Sequence, residues 1–329
     1  MKLQNFKPYN QLDYFDCYFR ALFHILNYFH LDVRSVLLGH VYAYTYTDPK
    51  RTSFCLFQYN FKENVLENSG LCAEEILIDK SNFGRQILEC CKANRPALLL
   101  IDNYYFPFSR DMYHESHNAH YICLYGYEEE KKQYNAIDVD FLNSFAYKEQ
   151  IIEESSMQKF FEASGDNDLY FCAFSKDLSD RINEKNYIKE YSKVLLQHKD
   201  LLIKGISEMS VFIQFTLDSI YDNDSERVSE FIQKFTMPFV NIARSVKQRE
   251  EILKGYIKEK TLLDMLEKIS EQWLVIRSVI LKYARYDEAG RIGLLANLPV
   301  YCSAVAALER DFNERLLETC QEQLGGCDE

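Results

Sequence analysis

Four residues whose types together carry out nucleophilic acyl chemistry occur in one order along the chain: Gln11, Cys17, His120 and Asp138. Cys17 stands in NQLDYFDCYFRALFHIL, directly after Asp16, a good helix N-cap type, where a helical apolar period begins. The free amides and dipole of a helix N-terminus stabilise an anion, which for cysteine is the nucleophilic thiolate. Gln11 lies six residues earlier, on a loop leading into that helix. Its side-chain amide can aim an N–H at an oxyanion forming beside the sulfur. His120 opens a predicted strand and Asp138 lies near the end of the next. On adjacent antiparallel strands a carboxylate can orient an imidazole and fix its tautomer. Oxyanion donor, nucleophile, base and orienter are then all present. Asp140 shares a strand face with Asp138 and is its substitute. The competing role for Cys17 is that of a small core residue.

These residues need elements to hold them. Ala21, Leu22, Ile25, Leu26 and Phe29 make one apolar stripe, which predicts a helix over about 17–29. A second helix is expected over about 82–93, with Ser81 as N-cap and Phe83, Ile87, Leu88 and Cys91 on one face. The runs 96–102, 120–127, 133–140 and 169–174 are short, apolar or alternating, and read as strands. Strands follow one another without helical crossovers, which predicts an α+β domain with a largely antiparallel sheet. Beyond residue 176 the period changes. Leu202, Ile206, Met209, Ile213, Leu217 and Ile220 recur at helical spacing, and so do Leu262, Leu266, Ile269, Trp273, Ile276 and Ile280. Pro238 marks a kink, Pro299 a helix start, and Gly290 with Gly293 a turn. The expected division is 1–176 and an all-α domain over 177–329.

Composition narrows the function classes. The chain has 329 residues and a formal net charge of -12, so electrostatically driven nucleic-acid binding, which needs a broad basic face, is disfavoured. No apolar stretch is long enough to span a membrane, and MKLQNFKPYNQ lacks the apolar run of a signal peptide. Ten cysteines without framework spacing are expected to be reduced thiols in the cytoplasm. His114, His117 and His120 form H-x-x-H-x-x-H without a helix to converge them, so no metal site is expected; His114 and His117 are placed at the site mouth or in solvent. His24 and His30 are read as structural. Asp102 ends a strand before the aromatic segment 104–113, which is either a lid or acyl-pocket wall or a surface loop. Asp102 itself either binds an amine or caps a turn.

QLDYFDC, as Q-x-D-x-x-D-C at a helix start, resembles the papain-like bacteriocin-leader peptidases, which continue with a strand-borne His, a Gly-containing turn and an Asp, here HYICLYGYEEEKKQYNAIDVD. The sequence is more similar to the N-terminal domain of the butirosin side-chain acyltransferase family. The shared pattern is a Cys-Tyr pair at a helix start, a Pro-initiated strand ending in Asp before an aromatic loop (PALLLIDNYYFPF), a His-rich approach, and strand–Gly-Tyr–strand–Asp, with a helical region after. The resemblance implies a papain-like cysteine protease fold for 1–176, with Cys17 as nucleophile, His120 as base, Asp138 as orienter and Gln11 as oxyanion donor. It implies transfer of an acyl group from a carrier-protein thioester to a small amine, in thiotemplated antibiotic biosynthesis. The enzyme itself would bind no cofactor; the phosphopantetheine arm would belong to the carrier. Two departures stand out from the leader peptidases: Tyr18 follows the cysteine where they have a small residue, and Val139 follows Asp138 where they commonly have Pro. The alternative on the same fold is a cysteine peptidase, amidase or thioesterase.

Tyr18, Asp102, Tyr104, His117 and Asp140 are the further candidates for substrate contact. An acidic carrier would be repelled by the overall charge and would need a local basic patch. Segment 241–260 holds six basic and three acidic residues, which makes Arg244, Lys247 and Arg249 the docking candidates, with a solvated helix face as the other reading. Amphipathic helix in the second half leaves room for a homodimer interface, with no heptad to specify one.

Overall fold

The computed structural model describes residues 1–12, 15–46, 54–60, 66, 69–109, 112–139, 146–177, 184–221, 242, 245–283 and 297–325. The chain divides into two compact units: Met1–Val36 with Asn64–Arg181, and Leu37–Glu63 with Ile182–Glu329.

The first unit is built on a six-stranded sheet. Its strands are β3 (Leu71–Leu77), β4 (Ala97–Asp102), β5 (Ala119–Glu128), β6 (Gln133–Val139), β7 (Tyr147–Glu153) and β8 (Tyr170–Lys176). They lie in the order β3-β8-β4-β5-β6-β7, and every neighbouring pair is antiparallel. Helices α1 (Cys17–Tyr28) and α2 (Phe83–Lys92) pack against β5, and α3 (Glu154–Ala163) packs against β7. The stripe expected on α1 is its buried face: Ala21, Leu22, Ile25, Leu26 and Phe29 are all buried. The cap of α2 is Asn82 rather than Ser81, whose hydroxyl instead bonds the Asp79 carboxylate at 2.6 Å. The topology puts the C-terminal ends of β4 and β6 beside the N-terminal ends of β5 and β7. Asp102, His120, Asp138 and Tyr147 therefore gather at one end of the sheet.

The second unit takes in more than the segment 177–329, whose described elements are all helices. Strands β1 (His40–Tyr46) and β2 (Phe54–Asn60) form an antiparallel pair that groups with the helices. The helices are α4 (Glu184–Gln197), α5 (Lys199–Tyr221), α6 (245–256), α7 (Lys260–Tyr283) and α8 (Leu298–Gly325). Strand β1 lies directly on α5. A methyl group at Gly205 would stand 2.8 Å from the Tyr44 amide nitrogen, so glycine is what permits the approach. Tyr44 also reaches into a buried polar group. Its hydroxyl donates to the Glu309 carboxylate and accepts from Trp273 Nε1 at 3.0 Å, while Arg249 Nη1 lies 3.0 and 3.1 Å from the two Glu309 oxygens. The α7 stripe from Leu262 to Ile280 is buried throughout, and Pro299 lies in the first turn of α8. Pro238, Gly290 and Gly293 fall outside the described residues. No helix among the described residues is long and apolar enough to cross a membrane.

Candidate active site

Cys17 is the first residue of α1, and Asp16 caps the helix by accepting from the Phe19 amide at 3.1 Å. Because the opposite face of α1 is locked into the core, the direction of its N-terminus is fixed. Cys17 is half-buried, and its sulfur accepts from the His120 ring and from the backbone N–H of Tyr121. His120, 6% exposed, points Nε2 at Asp138 Oδ1 across 2.6 Å, which leaves Nδ1 for the sulfur. Asp138 is fully buried, and the same Oδ1 also accepts from the Val139 amide at 2.7 Å. Its Oδ2 is buried with no partner among the described residues. The β5–β6 ladder begins at Cys123–Ile137, so His120 and Asp138 stand just past its end, at the mouth of the sheet.

The three groups set one another's charge. Burial opposes ionisation of Cys17, but the His120 hydrogen bond, the Tyr121 amide and the His120 charge together bring the thiol below its ordinary value, against a small opposing push from Asp16. Burial likewise opposes charge on His120, yet the hydrogen bonds to Asp138 and Cys17 raise it to about 10. Both shifts favour the thiolate–imidazolium form of the pair, which titrates as a unit. Such a thiolate is a ready nucleophile, and the imidazolium beside it is a ready proton donor to a leaving group.

The loop before the helix is held by residues that local sequence signals do not reveal. Tyr9 donates its amide to His24 Nδ1 at 3.0 Å. Asn10 bonds the Tyr147 backbone in both directions, at 2.9 and 2.7 Å. The Tyr9 hydroxyl donates to Gln11 Oε1 at 3.1 Å, which engages the oxygen of this exposed amide and leaves its N–H₂ group as the donor. His24 is buried, and burial together with the Arg20 charge drives it down to about 3. It is therefore neutral and able to accept. Its ring lies 4.7 Å from that of Tyr147, whose other neighbour is the Arg20 guanidinium at 4.2 Å. His24 is structural, as read, and what it supports is the Gln11 loop. The signal available in the sequence was a histidine seven residues after Cys17, on the buried face of α1.

Of the other candidates, Tyr18 is half-buried and meets the Tyr121 ring edge-on at 5.1 Å. Asp102, His117 and Tyr104 form a single cluster. Asp102 Oδ2 lies 2.6 Å from His117 Nδ1, its Oδ1 accepts from the Tyr104 and Asn118 amides, and the His117 ring stacks on Tyr104 at 4.4 Å. The turn-capping role of Asp102 is thus real, and it comes with a histidine attached. His114 packs edge-on against Tyr104, and among the described residues no cluster suited to a metal ion forms. Asp140 and Arg244 lie outside the described residues. The basic docking patch does not survive as drawn. Arg249 is 5% exposed and turned inward onto Glu309, and Lys247 is paired with Glu250 at 2.7 Å. The charge count over 241–260 makes Arg249 a candidate without revealing the buried carboxylate that it serves.

Residues 25–139 match the family described as butirosin biosynthesis protein H, N-terminal. The match supports a similarity of this segment to the butirosin side-chain acyltransferase-like family. It includes His120 and Asp138, whereas Gln11 and Cys17 precede it; the fold itself joins the two parts, through the Cys17–His120 hydrogen bond. No curated protein matches the chain at a significant level.

Proposed function

We propose that the protein is a papain-like cysteine acyltransferase that takes an acyl group from a carrier-protein thioester onto Cys17 and passes it to a primary amine. The family match supports a biosynthetic acyltransferase of antibiotic assembly. The observation that carries the chemistry is the buried relay Cys17–His120–Asp138 at a helix N-terminus. The Cys17 thiolate attacks the thioester carbonyl. The C–S bond of the donor breaks, and His120 gives its proton to the departing thiol. Gln11 Nε2 donates to the oxyanion, with the Tyr121 amide beside the sulfur as a second fixed dipole. The acyl-enzyme then meets the amine, His120 accepts a proton, and an amide leaves. One thioester replaces another and aminolysis runs downhill, so this step needs no nucleotide. The carrier would bring the phosphopantetheine arm, and the enzyme would hold no cofactor of its own. Eight of the cysteines are free thiols, which suits a reducing compartment such as the cytoplasm.

The test is to incubate the protein with an acyl-pantetheine thioester and map the added mass. Acyl mass on Cys17 that becomes amide only on adding an amine supports transfer. An adduct lost to water at the same rate with or without amine indicates a hydrolase on the same site. Full turnover by Cys17→Ala overturns the assignment.

A further inference from the structure

Amide formation from an ammonium substrate has a proton surplus that the Cys17 relay alone does not absorb. Once Cys17 is acylated, His120 has given its proton to the departing thiol and is neutral. A primary amine arrives at neutral pH as an ammonium ion, since its pKa lies near that of lysine, about 10.4. Turning it into an amide removes two protons from nitrogen. His120 accepts one, and the imidazolium then restores the resting pair with the released thiolate. The other proton needs a second base within reach of the same thioester.

The structure holds a second His–Asp pair at the same end of the sheet. Asp102 ends β4 opposite Ala119, and Ile101 pairs with His120, so Asp102 sits one strand over and one residue along from the catalytic imidazole. His117 precedes His120 by three residues, which limits their Cα separation to about 11 Å. Asp102 Oδ2 takes the Nδ1–H of His117 at 2.6 Å, so in the neutral ring Nε2 carries the lone pair. Stacking on Tyr104 holds the ring plane, and the side chain is 65% exposed. A base in this position can take a proton from an incoming ligand and hand it to water. His120, at 8% side-chain exposure, lacks that outlet.

We infer that His117, oriented by Asp102 and Tyr104, is the base that deprotonates the incoming ammonium before His120 completes aminolysis; this rests on the acyltransfer reading above. In the balanced sequence, one N–H proton of the ammonium passes to His117 Nε2 and on to solvent. The free amine attacks the thioester carbonyl, the C–N bond forms and the C–S bond breaks. The second proton passes to His120 as the Cys17 thiolate leaves. The ammonium approaches a cluster that already presents a carboxylate and the ring of Tyr104, both suited to a cation.

The experiment compares two acceptors in one protein. A simple alkylamine arrives charged and needs both bases. Hydroxylamine is mostly uncharged at neutral pH and needs only His120. Each is offered to enzyme pre-acylated with acetyl-pantetheine, in wild type and in His117→Gln, and the ratio of alkylamine to hydroxylamine turnover is measured at pH 7. The ratio is expected to fall at least tenfold in the variant, a lower bound set below the about 100- to 10,000-fold that general base catalysis contributes. Because both rates come from the same preparation, a partly unfolded variant does not change the ratio. A ratio equal to that of wild type, with the Cys17 adduct formed normally, overturns the role of His117 and leaves the acyltransfer reading standing. Absence of any Cys17 adduct in wild type overturns both.

Discussion

Replacing His120 by alanine tests the charge pair on which the site depends. Four influences act on the Cys17 thiol: burial and Asp16 disfavour its ionisation, while His120 and the Tyr121 amide favour it. Removing His120 takes away both its hydrogen bond and its charge, and the remaining balance lies on the side of the neutral thiol. An ordinary cysteine with a pKa of about 8.5 is about 1% thiolate at pH 6.5. A fully formed ion pair can therefore raise the reactive population up to about 100-fold. A less basic thiolate is also a weaker nucleophile; with a Brønsted slope of about 0.4–0.5, each unit of lowering costs about threefold in intrinsic rate. Each unit therefore gains up to tenfold in population and gives back about threefold, a net factor of about three. Because the gain in population saturates near 100-fold while the loss of nucleophilicity continues, over a shift of one to three units iodoacetamide should alkylate Cys17 about 3- to 6-fold faster in wild type than in His120→Ala at pH 6.5, read by peptide mass spectrometry. The wild-type rate should persist on the acid side of the usual thiol range. A further change should come near pH 10 as His120 loses its proton, since a raised imidazole keeps its charge below its folded pKa and loses it above. A profile with one midpoint near 8.5, the same in both proteins, would refute the reasoning. His120→Gln provides a second variant if the alanine protein unfolds.

Further expectations are as direct. Asp138→Asn removes the carboxylate that helps to hold His120 near 10, so the alkaline change should move to lower pH and turnover should fall by about 100-fold or more. Gln11→Ala should slow acyl-enzyme formation by about 100- to 1,000-fold in single-turnover assays while leaving the alkylation rate of Cys17 intact. Arg249→Met should cost about 3–5 kcal/mol in urea unfolding of the second unit, because Glu309 is left charged and buried; a surface docking residue would cost almost nothing. Gly205→Ala should destabilise by about 1–2 kcal/mol despite the better helix propensity of alanine, since its methyl would meet the Tyr44 backbone.

The parts of the structure legible in the sequence are those with local causes. Asp16 before an apolar period is a cap signal, and it caps α1. The α7 residues at helical spacing are buried because periodicity reports directly which face meets a core. Cys17, His120 and Asp138 could be named because a helix start and two adjacent strands are each local features, and the antiparallel β5–β6 pairing brings the last two together. What stayed hidden depends on contacts across long stretches of chain. Strand β1 shows β-type alternation in HVYAYTY, but nothing near it says that Tyr44 will reach Glu309 and Trp273, more than 200 residues later. The buried Arg249 looks, in sequence, like any other cation on an amphipathic helix. His117 and Asp102 were singled out separately; their pairing follows from the β4–β5 register, which no local signal specifies.

The most direct measurement is intact-protein mass spectrometry of wild type and Cys17→Ala during reaction with an acyl-pantetheine thioester, followed by addition of a primary amine. The account predicts one acyl group on wild type, mapped to Cys17, that disappears into amide product when amine is added, and no adduct on the variant. An acyl group carried elsewhere, or amide formed at an equal rate by Cys17→Ala, would contradict it.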